Sequence, residues 1–370
     1  MRIGIYLASL LPALTGRERY QAGLIQALGR QDAPDEYLLL VNAANRSLFP
    51  PPDGRFRPVI VRPPPFPWRR LWEALYLALA HRTHGLDLLY LAEGPAPTVF
   101  SGPAVAALYD LVPLLFPSSL PWKGRLYYRW AMASGIRRLR RLTAISHRTR
   151  DDAVRVLAVD PERVAVVYPG RDPRFRPIDD EEALALVRRK YGLPPSFVLH
   201  VGTVEPRKNL PRLLAAYRRL REVGVARGLV LAGARGWLCD GVVGEAARTM
   251  GVVVTGHVAE EDMPLLYNAA DLLVMPSLYE GFGFPLLEAM ACGTPAVCSN
   301  RGALPELAGD AALVVDARDE GALAVALEEA LTNESWRSRA AERGLERARA
   351  FSWEAAAECT REVFHEAVCR

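Results

Sequence analysis

Four charged residues in the second half of the chain have the types and spacing to act on an anionic ligand. Arg207 and Lys208 follow the apolar run 197–201 and precede a helical pattern that Asn209 would cap, with Pro211 in its first turn. Two fixed cations beside the unsatisfied N–H groups of a helix start suit a diphosphate whose negative charge grows as a bond to it breaks. A lone Arg-Lys pair also reads as solvated loop charge, and its place at a strand end is what favours the anion site. Glu280 lies in a glycine-rich loop, and Glu288 is expected in the first turn of the next helix, with Pro285 early in that helix and Gly293 ending it. A carboxylate there can accept hydrogen bonds from both members of a vicinal hydroxyl pair such as a ribose presents, or it can simply complement the helix dipole. Gly281 and Gly283 let the backbone approach a ligand, and Glu280 would reach hydroxyls at the ligand's other end.

The elements that must position these residues follow from the pattern of the whole chain. With 370 residues, 50% apolar and 24% charged, the chain exceeds what one hydrophobic core usually serves, and two domains are expected. Short apolar runs alternate with helical patterns, which predicts an α/β chain of two doubly wound, Rossmann-like domains. Predicted strands lie at 3–8, 37–42, 59–62, 88–91, 105–109, 142–145 and 164–168, and then at 197–201, 229–232, 252–255, 272–275, 296–299 and 313–315. Helices are expected at 19–29, 69–81, 123–140 and 148–157 and between the later strands. The proline-rich, charged stretch 169–182 reads as a linker, which divides the chain into 1–178 and 179–350, with a last helix over 351–370 packing back on the first domain. Ligands of such folds bind in a cleft at the carboxyl ends of the strands.

Several classes are disfavoured at once. No run of 18 apolar residues occurs, and the start MRIGIYLASLLPAL reads as a first strand rather than a signal, so a cytoplasmic protein is expected. Five cysteines (Cys239, Cys292, Cys298, Cys359, Cys369) lack metal-ligand spacing and read as reduced thiols. No Gly-x-Gly-x-x-Gly follows the first strand, which argues against a nicotinamide-dependent dehydrogenase.

The net charge of +4 divides into about +11 over residues 1–176 and about −7 over the rest. In the first half, Arg69, Arg70, Lys123, Arg125, Arg129, Arg137, Arg138, Arg140 and Arg141 are interleaved with Trp68, Trp72, Trp122, Tyr127, Tyr128 and Trp130. In helices this mixture suits peripheral contact with anionic membrane, at the inner face, better than a nucleic-acid groove; it is also what an arginine-rich solvated face looks like.

The spacing Glu280–GFGFP–Glu288, together with GTVEPRKN (202–209), resembles the family 4 glycosyltransferases of the GT-B fold, especially their mannosyltransferase-B-like branch. TGRERY, DLVPLLFP (110–117), TAIS, VVYPGRD, TGHV (255–258), AADLLVMPS and PELAGDAALVVD extend the resemblance over most of the chain. It implies an acceptor-side first domain and a nucleotide-sugar-binding second domain facing a central cleft. It implies a retaining transfer of a hexose, most simply mannose from GDP-mannose, to a glycan, lipid-linked or small-molecule acceptor, without a metal or other cofactor and without a protein nucleophile. On the matching positions, Arg207 and Lys208 would neutralise the diphosphate, Glu288 would hold the ribose and Glu280 the transferred sugar. Gly16 and Gly202 would lie by the phosphates, the stretch Gly281, Phe282, Gly283, Phe284 and Leu286 along the donor, and His257 and Val258 by the base. Two positions depart from the family: Tyr109 stands before Asp110 where a histidine near the sugar is usual, and Glu18 stands where many relatives have a second glycine. Tyr109 is accordingly either a catalytic neighbour of Asp110 or a structural aromatic, and Glu18 either a loop cap or an acceptor contact. The Tyr109 exchange also leaves open a non-catalytic nucleotide-sugar-binding subunit, or a transferase using a UDP- or dTDP-sugar.

Overall fold

The computed structural model describes residues 1–12, 15–64, 68–94, 100–116, 130, 132, 134–225, 227–236 and 239–369. Trp122, Lys123, Arg125, Tyr127, Tyr128, Arg129 and the side chain of Arg70, all assigned above to a basic aromatic surface, lie outside the described residues.

The chain divides into two compact units, Met1–Gly170 with Ser352–Arg370, and Arg171–Phe351. The division falls near the start of the 169–182 stretch, between Gly170 and Arg171, because the rest of that stretch is tied into the second unit. Arg171 N donates to Phe351 O at 3.0 Å. Asn268 accepts from Ile178 N at 2.8 Å and donates to Arg176 O at 3.0 Å.

In the first unit, strands β1 (Arg2–Tyr6), β2 (Glu36–Val41), β3 (Phe56–Ile60), β4 (Leu88–Leu91), β5 (Ala104–Leu108), β6 (Arg141–Ala144) and β7 (Val164–Val166) form one sheet in the order β3-β2-β1-β4-β5-β6-β7. In the second, β8 (Phe197–Val201), β9 (Gly228–Ala232), β10 (Val252–Gly256), β11 (Leu272–Met275), β12 (Ala296–Ser299) and β13 (Ala312–Val315) are ordered β10-β9-β8-β11-β12-β13. Every neighbouring pair is parallel. Runs such as AVAAL in β5 and LLVM in β11 are buried on both faces, as strands covered by helices on either side must be. In each sheet the strand order reverses beside the first strand, between β1 and β4 and between β8 and β11, and a crevice opens at those carboxyl ends.

β3 begins at Phe56, earlier than expected, because Phe56 stacks on Tyr37 of β2 with ring centroids 4.4 Å apart. Pro58 is tolerated there because β3 is an edge strand. The last helix, Trp353–Cys369, packs on the helix Gly16–Arg30 of its own unit. The Trp353 ring lies 5.9 Å from that of Tyr20, and a Cβ on Gly23 would come within 2.4 Å of the indole, so only glycine allows the approach. Among the described residues, no helix is long and apolar enough to cross a membrane.

Candidate functional site

The loops leaving β8 and β11 meet at the switch point of the second sheet. After β8 the chain makes a tight turn over Pro206–Lys208 and enters the helix Leu210–Glu222 through Asn209, which takes a left-handed conformation (φ 59°). Asn209 occupies the capping position, but its side chain does not cap the helix. Its amide instead donates to Pro276 O at 3.0 Å and Ala317 O at 2.7 Å, tying the turn to the loops after β11 and β13. The turn and the loop after β11 also share a backbone bond, Leu278 N to Arg207 O at 2.8 Å.

This clamp brings Arg207, Lys208 and Glu280 together. Lys208 Nζ donates to Glu280 Oε1 and Arg207 Nη1 to Glu280 Oε2, each at 2.7 Å, while Arg207 Nη1 also reaches Tyr279 O at 2.6 Å. Arg207 Nη2 pairs with Glu205, a site residue that the motif GTVEPRKN contains but that the sequence reading left unassigned. Glu205, Lys208 and Glu280 are all buried. Burial by itself would push the Glu280 carboxyl up, but the Arg207 guanidinium and Lys208 ammonium outweigh it and hold it well below the ordinary carboxylate range. The cluster is thus two cations and two carboxylates, neutral in sum, and charge-assisted hydrogen bonds fix each group. Gly202 lies against it, a Cβ there falling 3.0 Å from Lys208 Cε. Gly302 (φ 63°) supports it from below, since a Cβ would fall within 2.4 Å of the Glu280 backbone nitrogen.

Beneath the pair, His200 on β8 is buried, with Nδ1 3.0 Å from Val274 O. A carbonyl only accepts, so Nδ1 carries the proton. Burial, and then the Lys208 ammonium, bring its pKa down to about 4, so the ring is neutral at pH 7.

The other sequence candidates are distributed around this cluster. Gly283 (φ 117°) opens the helix Phe284–Cys292 with Pro285 second, which puts Glu288 in the second turn and not the first. There its carboxylate is buried and accepts from Tyr267 Oη at 2.7 Å. Phe282 packs edge-on to Phe284 (5.4 Å) and Phe351 (5.8 Å), so what Gly281, Phe282 and Gly283 can present to a ligand is backbone. Leu286 turns its side chain fully into the core, and its N–H is used by Gly283 O at 2.9 Å. His257 and Val258 follow edge strand β10, two strands from β8; His257 is exposed and Val258 buried.

Four residues singled out in the sequence belong to the first unit. Gly16 begins the helix Gly16–Arg30, after Thr15. Glu18 is buried and turns back on its own loop, accepting from Leu11 N at 3.0 Å and from the Thr15 hydroxyl, which resolves it as a loop clamp related to a capping box. Asp110 accepts from Val112 N at 3.0 Å. Tyr109 is buried, and its contacts favour the structural reading: its hydroxyl donates to Ala92 O at 2.5 Å and accepts from Gln21 Nε2 at 2.7 Å, and its ring packs edge-on to Tyr20 at 5.6 Å.

Two family models match successive parts of the chain. Residues 14–175 match the family described as Glycosyltransferase Family 4, and residues 187–347 match Glycosyl transferases group 1. The O-antigen chain mannosyltransferase B of Escherichia coli is 35% identical over 255 residues, 68% of this chain and 67% of that protein. The serotype-specific mannosyltransferase WbdA of Escherichia coli is 30% identical over 67% of this chain, which spans only 32% of that longer protein. Among solved structures, sucrose-phosphate synthase from Thermosynechococcus elongatus superposes with a TM-score of 0.78 at 21% identity, covering 100% of this chain and 99% of that one. Anabaena Alr3699/HepE in complex with UDP-glucose does so with 0.75 at 19%, covering 99% and 100%. With two parallel sheets, a charged cluster at the switch point of the second and sequence similarity along both, the chain belongs to glycosyltransferase family 4 and is a glycosyltransferase of the GT-B fold.

Proposed function

We propose that this glycosyltransferase takes a hexose, best read as mannose from GDP-mannose, and transfers it with retention to a glycan, lipid-linked or small-molecule acceptor. The observation that carries the reading is the Arg207–Lys208 pair, fixed at the switch point on Glu280. When the bond from the sugar's anomeric carbon to the phosphate oxygen breaks, the electron pair leaves with the diphosphate. Arg207 and Lys208 stabilise that growing charge, the part a divalent metal plays in other transferases, so no metal or other cofactor is assigned. The acceptor hydroxyl adds from the face the diphosphate leaves, and its proton passes to the departing phosphate oxygen. Glu280 exchanges part of its pairing with the cations for hydroxyls of the sugar, and Glu288, beside Tyr267, takes the ribose hydroxyls.

The two relatives named mannosyltransferases support the sugar, and the UDP-glucose bound by the Anabaena protein supports a nucleotide sugar as the donor class. The test is a panel of GDP-, UDP-, dTDP- and ADP-sugars, scored by thermal stabilisation and slow hydrolysis. A donor present at a hundred times its dissociation constant should add about 2.7 kcal/mol to stability. GDP-mannose is expected to stabilise most; preference for a UDP- or dTDP-sugar would reassign the donor, and stabilisation by none would sink the reading.

A further inference from the structure

The helix Arg69–His84 is apolar on two faces. Its inner face is fully employed: Leu77 and Ala80 are buried in the core of the first unit, with Trp72 and Tyr76 packed against it and stacked on each other at 5.0 Å. Glu73, the helix's one acid, is turned the same way, accepting from Tyr6 Oη at 2.6 Å. The outer face carries Trp68, Leu71, Leu75 and Leu79, which are 67%, 58%, 58% and 53% exposed, and then Arg82. Steps of three, four, four and three residues keep all five within one narrow arc of the helix over about 21 Å. A surface helix ordinarily places polar residues there, and a continuous exposed apolar row marks an interaction surface.

A second segment lies on the same side. The strand residues of this core cluster alternate, 38 and 40, 89 and 91, 104, 106 and 108, 142 and 144, so they line one face of the sheet. Leu77 and Ala80 of the helix and Met132, Ile136 and Leu139 of the later segment cover that face together. Outward from the later segment stand Trp130, 58% exposed, and the exposed Arg137, Arg138 and Arg140. Among the described residues, none of Arg69, Arg82, Arg137, Arg138 and Arg140 forms an ion pair.

We infer that this outer face, the Trp68–Leu71–Leu75–Leu79 row with Trp130 and the arginines around it, docks on a lipid bilayer carrying anionic headgroups. The leucines enter the boundary between headgroups and acyl chains, the two tryptophans sit at headgroup level, and the arginines bind phosphates. Charge decides the occupant: a row of leucines alone fits many partners, but one bordered by arginines and by no outward acid of its own helix complements a negative surface. The inference does not rest on sugar transfer.

The experiment is flotation of the full chain with phosphatidylcholine vesicles, with and without phosphatidylglycerol, alongside two variants. Wild type should bind the phosphatidylglycerol vesicles at low salt and the neutral ones far less. The triple variant Leu71→Ser, Leu75→Ser, Leu79→Ser should bind at least about tenfold more weakly. Arg137→Ala, Arg138→Ala, Arg140→Ala together should lose about fivefold per arginine. Binding by the serine variant equal to wild type would overturn the assignment, as would a wild-type dimer that the serine variant converts to monomer, which would give the row to a second copy. Should the serine variant misfold, Trp68 fluorescence decides: a blue shift on adding phosphatidylglycerol vesicles, missing in Trp68→Phe, supports docking, and no shift rejects it.

Discussion

The carboxyl ends of β1 and β4 and those of β8 and β11 are the same place in two copies of one topology, yet their buried polar chemistry is opposite. In the first unit, the buried groups there form a neutral network of Gln21, Tyr90 and Tyr109, the acid Glu18 is spent on holding its own loop, and the ion pair after β4, Arg17 with Glu93 at 3.5 Å, is exposed. In the second, Glu205, Arg207, Lys208 and Glu280 form a buried ionic network. A doubly wound sheet supplies a crevice; the side chains at its rim decide whether that crevice is packing or a place for charge.

Three measurements would break or sharpen this contrast. The largest effect is expected for Glu280→Ala, which leaves Arg207 and Lys208 without their shared carboxylate. Breaking a buried pair from one side costs about 3–5 kcal/mol, readable as a lower urea midpoint, and donor turnover should fall by about a hundredfold or more. Glu280→Gln keeps the shape and should lose turnover at a smaller cost in stability. A variant that keeps both stability and turnover would show the ionic network to be surface decoration.

The second measurement is stability against pH. His200 has a folded-state pKa of about 4, below its unfolded value of 6.5, so the unfolded chain takes up the proton first as pH falls. Stability should therefore decline from about pH 6.5 to about pH 4, by about 3 kcal/mol in all. Glu280 adds to the loss further down: its depressed pKa contributes stability above the ordinary carboxylate range that disappears as pH falls below it. His200→Gln should flatten the upper part of the curve, and an unchanged slope would remove His200 from the account.

The smallest effect belongs to the neutral network. Tyr109→Phe leaves Ala92 O and the Gln21 amide without their hydroxyl partner, at about 1–3 kcal/mol, with turnover unchanged. A large loss of turnover with full stability would return Tyr109 to a catalytic role.

Much of the fold is legible because its strands are buried on both faces and read as unbroken apolar runs; β4, β8, β11 and β12 have the extents the sequence predicts. β3 is misread at its start because FRPVI is an edge strand with charge and proline, held by the Tyr37 stack, a contact distant in sequence. At the site, the meeting of Arg207, Lys208 and Glu280 follows from their strand-end positions. Glu205 escapes because an acid in an irregular loop looks solvated until a 72-residue-distant clamp, Lys208 to Glu280, closes the turn around it. The burial of Leu286 and Tyr109 is not legible in the sequence, because it is decided by neighbours far along the chain.

The path of the chain has a consequence for its synthesis. The second unit is one continuous stretch, Arg171–Phe351, whereas the first is finished only by Trp353–Cys369, whose Trp353 and Phe364 cover Tyr20 and Tyr90. On a ribosome making roughly 5–20 residues per second, the unit begun first waits on the order of ten seconds for its last helix, with those aromatic surfaces uncovered. The unit begun second has all its parts in hand earlier and can close before the first is complete.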